Sequence, residues 1–393
     1  MRVLVTVGAG GVGKTTTAAA LALAAAVRGR RVLCLTIDPA KRLAQSLGLG
    51  AMTTEAVVVD RERFADAGLE CKGALTAMML DTKRTFDDIV RRHSSSPEKA
   101  ERLLQNHLYQ YMSTSLAGTQ EYMAMEKLVA VQEGGGFDLI VLDTPPTTNA
   151  LDFLDAPDRM IDVLASPSVT WLIDAFQTTG KLSLNLLARS AAVVLRGMAR
   201  ITGGSFLEDM ARLLSELNEL FGGFRERATR VKAALRDEGV RFLLVTSPAP
   251  ASVDEARFFA ERLQEAGMPR GAFVVNRYRG PEDLAGTPDE WAARVNAALG
   301  QGGTDRGTVG GRDGGTDSGR VAGAPPDEGS LARRAVRAYQ ESERQAAWNA
   351  LHVAPLLAHD SGSVPVVLVP ERDEDVHDLR ALSEVARGLV GAL

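Results

Sequence analysis

The chain has 393 residues, 45% of them hydrophobic and 24% charged, an ordinary globular composition with ample apolar content for a sizeable core. Its length allows one large α/β domain or two smaller ones. The net charge of -5 and a pI near 5.7 lack the basic excess of a nucleic-acid binder, so small molecules or proteins are the expected partners. Cys34 and Cys71 form no CxxC pair, which argues against a zinc site or a disulfide framework; Cys34 reads as a small buried core residue. The opening run Val3–Val7 is too short for a signal peptide, and no stretch of about 18 uncharged apolar residues occurs. The cytoplasm is the expected location.

In chain order, Val3–Val7 reads as a strand and Thr15–Arg28, rich in Ala and Leu, as a helix. Strands follow at Arg31–Ile37 and Leu139–Asp143, with a stretch of helix formers from about 70 to 130 between them. A second such stretch runs from about 158 to 235. Within it, Leu182–Ile201 is apolar but flanked or interrupted by Lys181, Arg189, Arg196 and Arg200. It reads as a packed helix, as part of an apolar groove for a client, or as a membrane-surface element. Strands are predicted again at Phe242–Thr246, Ala272–Asn276 and Val364–Val369. A helix over Val253–Ala266 has Ser252 as its plausible cap. The stretch from 300 to 330 is mostly Gly, Thr, Asp, Arg and Pro, and cannot bury enough surface to offset ordering entropy; it reads as a disordered loop. A helix over about Leu331–Leu351 comes next, and Asp378–Leu393 reads as a helix closing the sheet.

Each strand-like run is apolar throughout, as in a parallel sheet covered on both faces. Alternating strands and helices predict an α/β fold: a doubly wound, mostly parallel sheet in a single domain over 1–393, with helical insertions.

Gly8-Ala9-Gly10-Gly11-Val12-Gly13-Lys14-Thr15 matches GxxxxGK[ST] in full, between a strand and a helix. The glycines let backbone N–H groups turn inward on phosphate oxygens, and the helix N-terminus adds partial positive charge. Lys14 is expected to reach the β- and γ-phosphates, and the Thr15 hydroxyl to reach Mg²⁺. Phe137–Asp143 is an apolar strand ending in an acid, which places Asp143 toward the metal or its water shell. Asp38 ends the strand after the glycine-loop helix. It fits two roles: a base that orients or deprotonates the attacking water, or a helix N-cap ahead of Pro39.

Together these residues resemble the ArsA/guided-entry ATPases within the MinD-like group of P-loop proteins. The carriers are Gly10–Thr16, Asp38-Pro39-Ala40 and Asp143-Thr144-Pro145-Pro146-Thr147, supported by Val274-Val275-Asn276-Arg277 and Val369-Pro370. The resemblance implies ATP and Mg²⁺ as cofactors. It implies that Gly10, Gly11, Gly13, Lys14, Thr15 and Thr16 hold phosphates and Mg²⁺, that Asp38 in a first switch positions the hydrolytic water, and that Asp143 belongs to a second switch. It also implies that Asn276 bonds the adenine and that the backbone near Pro370 lines the base pocket, although Asn276 also suits a strand-end turn.

Three family features are absent. Ala9 stands where members of the MinD-like group often carry a signature lysine that reaches the partner subunit's nucleotide. Lys41 or Arg42 could substitute, or could be solvated charges at a helix start. The zinc-binding CxxC of the tail-anchored-protein targeting branch is missing, as is any cysteine cluster suited to trivalent arsenic. The expected function is an ATP-driven switch that grips and releases a protein client or membrane-protein partner, with a homodimer also to be considered. The alternatives are a MinD/ParA-like positioning ATPase, which calls for an amphipathic surface-binding helix or a basic face, and a carboxylate-activating ligase.

Overall fold

A computed structural model of the chain describes residues 2–37, 42–49, 55–107, 109–110, 113, 119–144, 155–156, 162, 213, 226–281, 290, 293–294, 297, 331–358, 364–372 and 374–391. The predicted disordered loop at 300–330 and nearly all of the stretch from 158 to 225 lie outside these residues.

Eight strands form one sheet: β1 (Arg2–Val7), β2 (Arg31–Thr36), β3 (Val57–Val58), β4 (Ala74–Met79), β5 (Leu139–Asp143), β6 (Val240–Thr246), β7 (Arg270–Tyr278) and β8 (Val366–Pro370). Their spatial order is β3-β4-β2-β5-β1-β6-β7-β8, parallel except for the edge strand β3. The predicted parallel α/β sheet is therefore present. It carries two strands the hydropathy pattern did not declare: β3, and β4 near the start of the stretch read as helix-forming. β4 reads Ala-Leu-Thr-Ala-Met-Met and has one β-branched residue in six, so its composition favours helix as much as strand.

The described helices are α1 (Lys14–Val27), α2 (Arg42–Ser46), α3 (Arg61–Asp66), α4 (Thr82–His93), α5 (Pro97–Gln105), α6 (Thr119–Gly134), α7 (Pro250–Glu265), α8 (Leu331–Ala358) and α9 (Leu379–Val390). Residues 226–235 are also helical. Ser252 is not the cap of α7: Ala249 precedes the helix and Pro250 occupies its first turn, where a missing N–H costs nothing. The helix α8 runs past the expected Leu351 to Ala358 with Pro355 inside it.

Alternation along the strands splits the core into two layers. Val3, Val5 and Val7 of β1, Leu33 and Leu35 of β2, Ile140 and Leu142 of β5, and Phe242 of β6 face α4–α8. Val32, Cys34, Val141, Val245 and Val274 face the other way, under α1 and α9. Each fully buried Val, Leu or Phe contributes roughly 1.5–3 kcal/mol by leaving water. Most of α1 is buried, and its alanines let it sit closely between sheet and α9. Leu379, Leu382, Val385 and Ala386 of α9 close that layer, as expected for the C-terminal helix. None of the described helices is long and apolar enough to cross a membrane.

The order matters for function. Strand β1 sits between β5 and β6, so the chain runs to one side of β1 for β2–β5 and to the other for β6–β8. Crevices at such reversals, beyond the carboxyl ends of parallel strands, are where ligands collect.

Candidate nucleotide site

The glycine loop joins the end of β1 at Val7 to the start of α1 at Lys14. Two of its glycines are sterically required. At Gly8, φ is 149° and a Cβ would lie 2.0 Å from the Val245 carbonyl oxygen. At Gly13, φ is 96° and a Cβ would lie 2.2 Å from Asn276 Nδ2. No other side chain allows that approach. Gly13 is the N-cap of α1 and no side chain caps the helix, so its first-turn amides are presented as an anion receptor.

Lys14 is buried, and its Nζ donates to the Gly8 and Ala9 carbonyls at 2.8 Å each. Gly10 is exposed, whereas Val12 is buried in the apolar layer beneath the loop. The Val12 carbonyl accepts a bond of 2.9 Å from Asn276 Nδ2, which ties the loop to β7.

On the other side of β1, Asp143 ends β5 and is fully buried. Thr36 Oγ1 donates to Asp143 Oδ2 at 2.9 Å, and the two residues are in register across β2 and β5. The Ile37 amide donates to the Asp143 carbonyl at 3.2 Å. Thr144 Oγ1 donates to the Thr6 carbonyl at 2.7 Å. Three strand ends are thus laced together at one edge. Burial, followed by the Asp143 charge, pushes the Cys34 thiol far above its usual range, so Cys34 is the inert core residue its sequence context suggested. Asp38 comes one residue after Ile37 and, like Lys41, lies outside the described residues.

Around the loop opens a cavity of about 470 Å³, within the range of small-molecule sites. Gly11, Gly13, Lys14, Thr15 and Thr16 form its floor. Arg42, Gln45 and Ser46 of α2, with Thr144, form the wall on the β2–β5 side. Arg277 and the segment Asp375-Val376-His377 form the wall on the β7–β8 side. Asn276 supports the loop from behind Gly13. Pro370 ends β8 beside Tyr278, five residues before the segment that lines the cavity, and is not itself in the wall.

The sequence names Arg277 only within the Val274–Arg277 run that carries the resemblance, and gives neither it nor the Asp375–His377 segment a role. Between Val275 and Tyr278 the pairing of β7 with β8 shifts register, and Arg277 there has φ of 58°. Such a bulge re-aims a side chain. The left-handed conformation costs a non-glycine residue roughly 1–2 kcal/mol. The signal that could have found it was the residue directly after Asn276, but no residue pattern announces a bulge.

The donor chemistry suits Mg·ATP. The Thr15 hydroxyl lines the cavity and would suit Mg²⁺, which needs only one or two protein ligands beside phosphate and water, whereas Asp143 is fully buried at the end of β5 and is not among the lining residues. Among the described residues no group of three or more His, Cys, Asp or Glu side chains could hold a metal by itself.

Comparison with known proteins agrees with this geometry. The family model described as anion-transporting ATPase matches residues 1–294. An ATPase get3 of Aspergillus terreus is 26% identical over 278 residues, covering 70% of this chain and 73% of the relative. An uncharacterized protein of Streptomyces coelicolor is 29% identical over 293 residues, covering 74% of this chain and 65% of the relative. A putative arsenical pump-driving ATPase of Chlorobaculum tepidum is 24% identical over 305 residues, covering 77% of this chain and 67% of the relative. With the P-loop geometry in place and three quarters of its length matched, the chain belongs to the ArsA-type anion-transporting ATPase family of P-loop proteins.

Proposed function

We propose that this chain hydrolyses ATP with Mg²⁺ and uses its nucleotide state to bind and release a protein partner. The observation that carries the reading is the convergence of the α1 N-terminus, Lys14, Thr15 and Thr144 on one cavity at the reversal point of the sheet.

The amides of Gly11, Gly13 and the first turn of α1 hold phosphate oxygens. Lys14 exchanges the neutral Gly8 and Ala9 carbonyls for charged oxygens, and charge-assisted bonds are roughly twice as strong as neutral ones. Mg²⁺, held by Thr15 and Asp143, would neutralise charge on the outer phosphates. Asp38 orients the attacking water; its neighbour Ile37 is pinned to Asp143, so the first switch begins beside the second. Such switch segments order around the outer phosphate and relax once it is gone.

The partner reading is drawn from relatives. One bears the name of a pump-driving ATPase and others the name get3, and Thr147–Phe153 leads from the second switch toward the stretch from 158 to 235. A protein client, a membrane-protein partner or a second copy of the chain would engage there. The surface-association alternative needs an unpartnered amphipathic helix, and the apolar face of α9 is spent on α1.

The test is nucleotide binding and turnover in Lys14→Ala and Asp38→Asn. Lys14→Ala should lose both. Asp38→Asn should bind ATP but turn over about 10²-fold more slowly. Wild-type turnover in Lys14→Ala would overturn the reading.

A further inference from the structure

We infer that Arg277 is a nucleotide-affinity residue that grips the nucleoside diphosphate portion of the ligand, at the end of the cavity away from the outer phosphate. The inference rests on the ATP-binding reading above and adds a residue to it.

The sheet order sets a direction along the cavity. Lys14 and Thr15 lie over the end of β1. Asp143, Thr144 and α2 lie toward the β2–β5 side, so the metal and the outer phosphate belong there. Arg277 and the Asp375–His377 segment lie on the opposite side, at the ends of β7 and β8. A triphosphate seated on the glycine loop with its outer end toward Asp143 therefore directs its ribose and innermost phosphate toward Arg277.

The local chemistry fits that placement. Among the described residues the Arg277 guanidinium has no hydrogen-bond or ion-pair partner. Its neighbours along the chain are committed: Asn276 to the Val12 carbonyl, and Arg279 to Glu371 at 2.9 Å. A planar five-donor cation exposed on a cavity wall suits a phosphate oxygen and a ribose hydroxyl. Arg277 also keeps a backbone conformation that glycine or asparagine would adopt with less strain. Arg277 is exposed on the cavity wall, so burial in the core does not account for the strained conformation.

The experiment uses the full chain with ADP and ATP as probes. Arg277→Gly relieves the left-handed strain, so the ligand-free protein should melt no lower than wild type. ADP affinity should fall by about 10-fold, KM for ATP should rise by a similar factor, and kcat should stay near wild type. Arg262→Ala, at a surface arginine of α7 that does not line the cavity, should leave ADP affinity unchanged. Unaltered ADP affinity in Arg277→Gly overturns the assignment, as does a fall in kcat with KM unchanged, which would place the arginine at the outer phosphate. Failure of the wild-type protein to bind ADP would instead strike the ATP-binding reading itself.

Discussion

Asn276 and Val12 lie 264 positions apart, and the Asn276 side-chain amide donates to the Val12 carbonyl at 2.9 Å. The bond makes β7 a support for the glycine loop, because the same amide fills the space a Gly13 side chain would need. The family resemblance assigns Asn276 to the adenine, whereas here its amide is engaged with protein. Asn276→Ala should therefore lower the stability of the ligand-free protein by about 1 kcal/mol, the net worth of one such bond, as well as weaken ATP binding. Urea unfolding without nucleotide checks the first effect and equilibrium binding the second. A variant with wild-type unfolding and weakened binding would return Asn276 to a ligand contact alone.

Thr36 is a second residue that organises the site without lining the cavity, in its case through a hydroxyl. Its bond to the buried carboxylate of Asp143, the acid we propose for the metal side, fixes that side chain at the end of β5. Thr36→Val keeps the β-branched shape and removes only the hydroxyl. Leaving a buried polar group without its partner costs about 1–3 kcal/mol, and more when the group is charged. Thr36→Val should also raise the Mg²⁺ concentration needed for half-maximal turnover, because Asp143 would turn to find another donor. Magnesium titrations of turnover in the two proteins check this. An unchanged magnesium requirement would mean that Asp143 is held by other contacts.

The parts of this fold that were legible in the sequence share one physical cause. Strands buried on both faces must be apolar throughout, so β1, β2, β5, β6, β7 and β8 each stood out as short β-branched runs. The glycine motif was equally plain, since its spacing and flanking elements are dictated by steric need at Gly8 and Gly13. The edge of the sheet was not legible. β3 has two residues and β4 is rich in Ala and Met, so neither carries the signature of a covered strand. The β7–β8 wall of the cavity was hidden for a different reason. Arg277 faces the cavity through a register shift, and Asp375–His377 reach it because α9 folds back on α1, both consequences of long-range pairing.

The pairing of Arg31 with Asp138 gives a pH signature. The Arg31 guanidinium bonds both carboxylate oxygens, at 2.9 Å and 3.3 Å, and its backbone N–H adds a third bond of 2.9 Å. First the side-chain bonds and then the backbone bond hold the Asp138 carboxyl down at about 2, against an ordinary value of 3.8. The native state thus binds its proton later than the unfolded chain. The stabilisation is fully present above the ordinary value and fades as pH falls from about 4 toward about 2. Both side chains are substantially exposed, so added salt should reduce the effect. Asp138→Asn should unfold at lower urea than wild type at pH 6, and the gap should narrow from pH 4 to pH 3. Urea midpoints for both proteins at those three pH values decide it. A gap that stays constant would mean the ion pair at the start of β2 contributes no proton linkage.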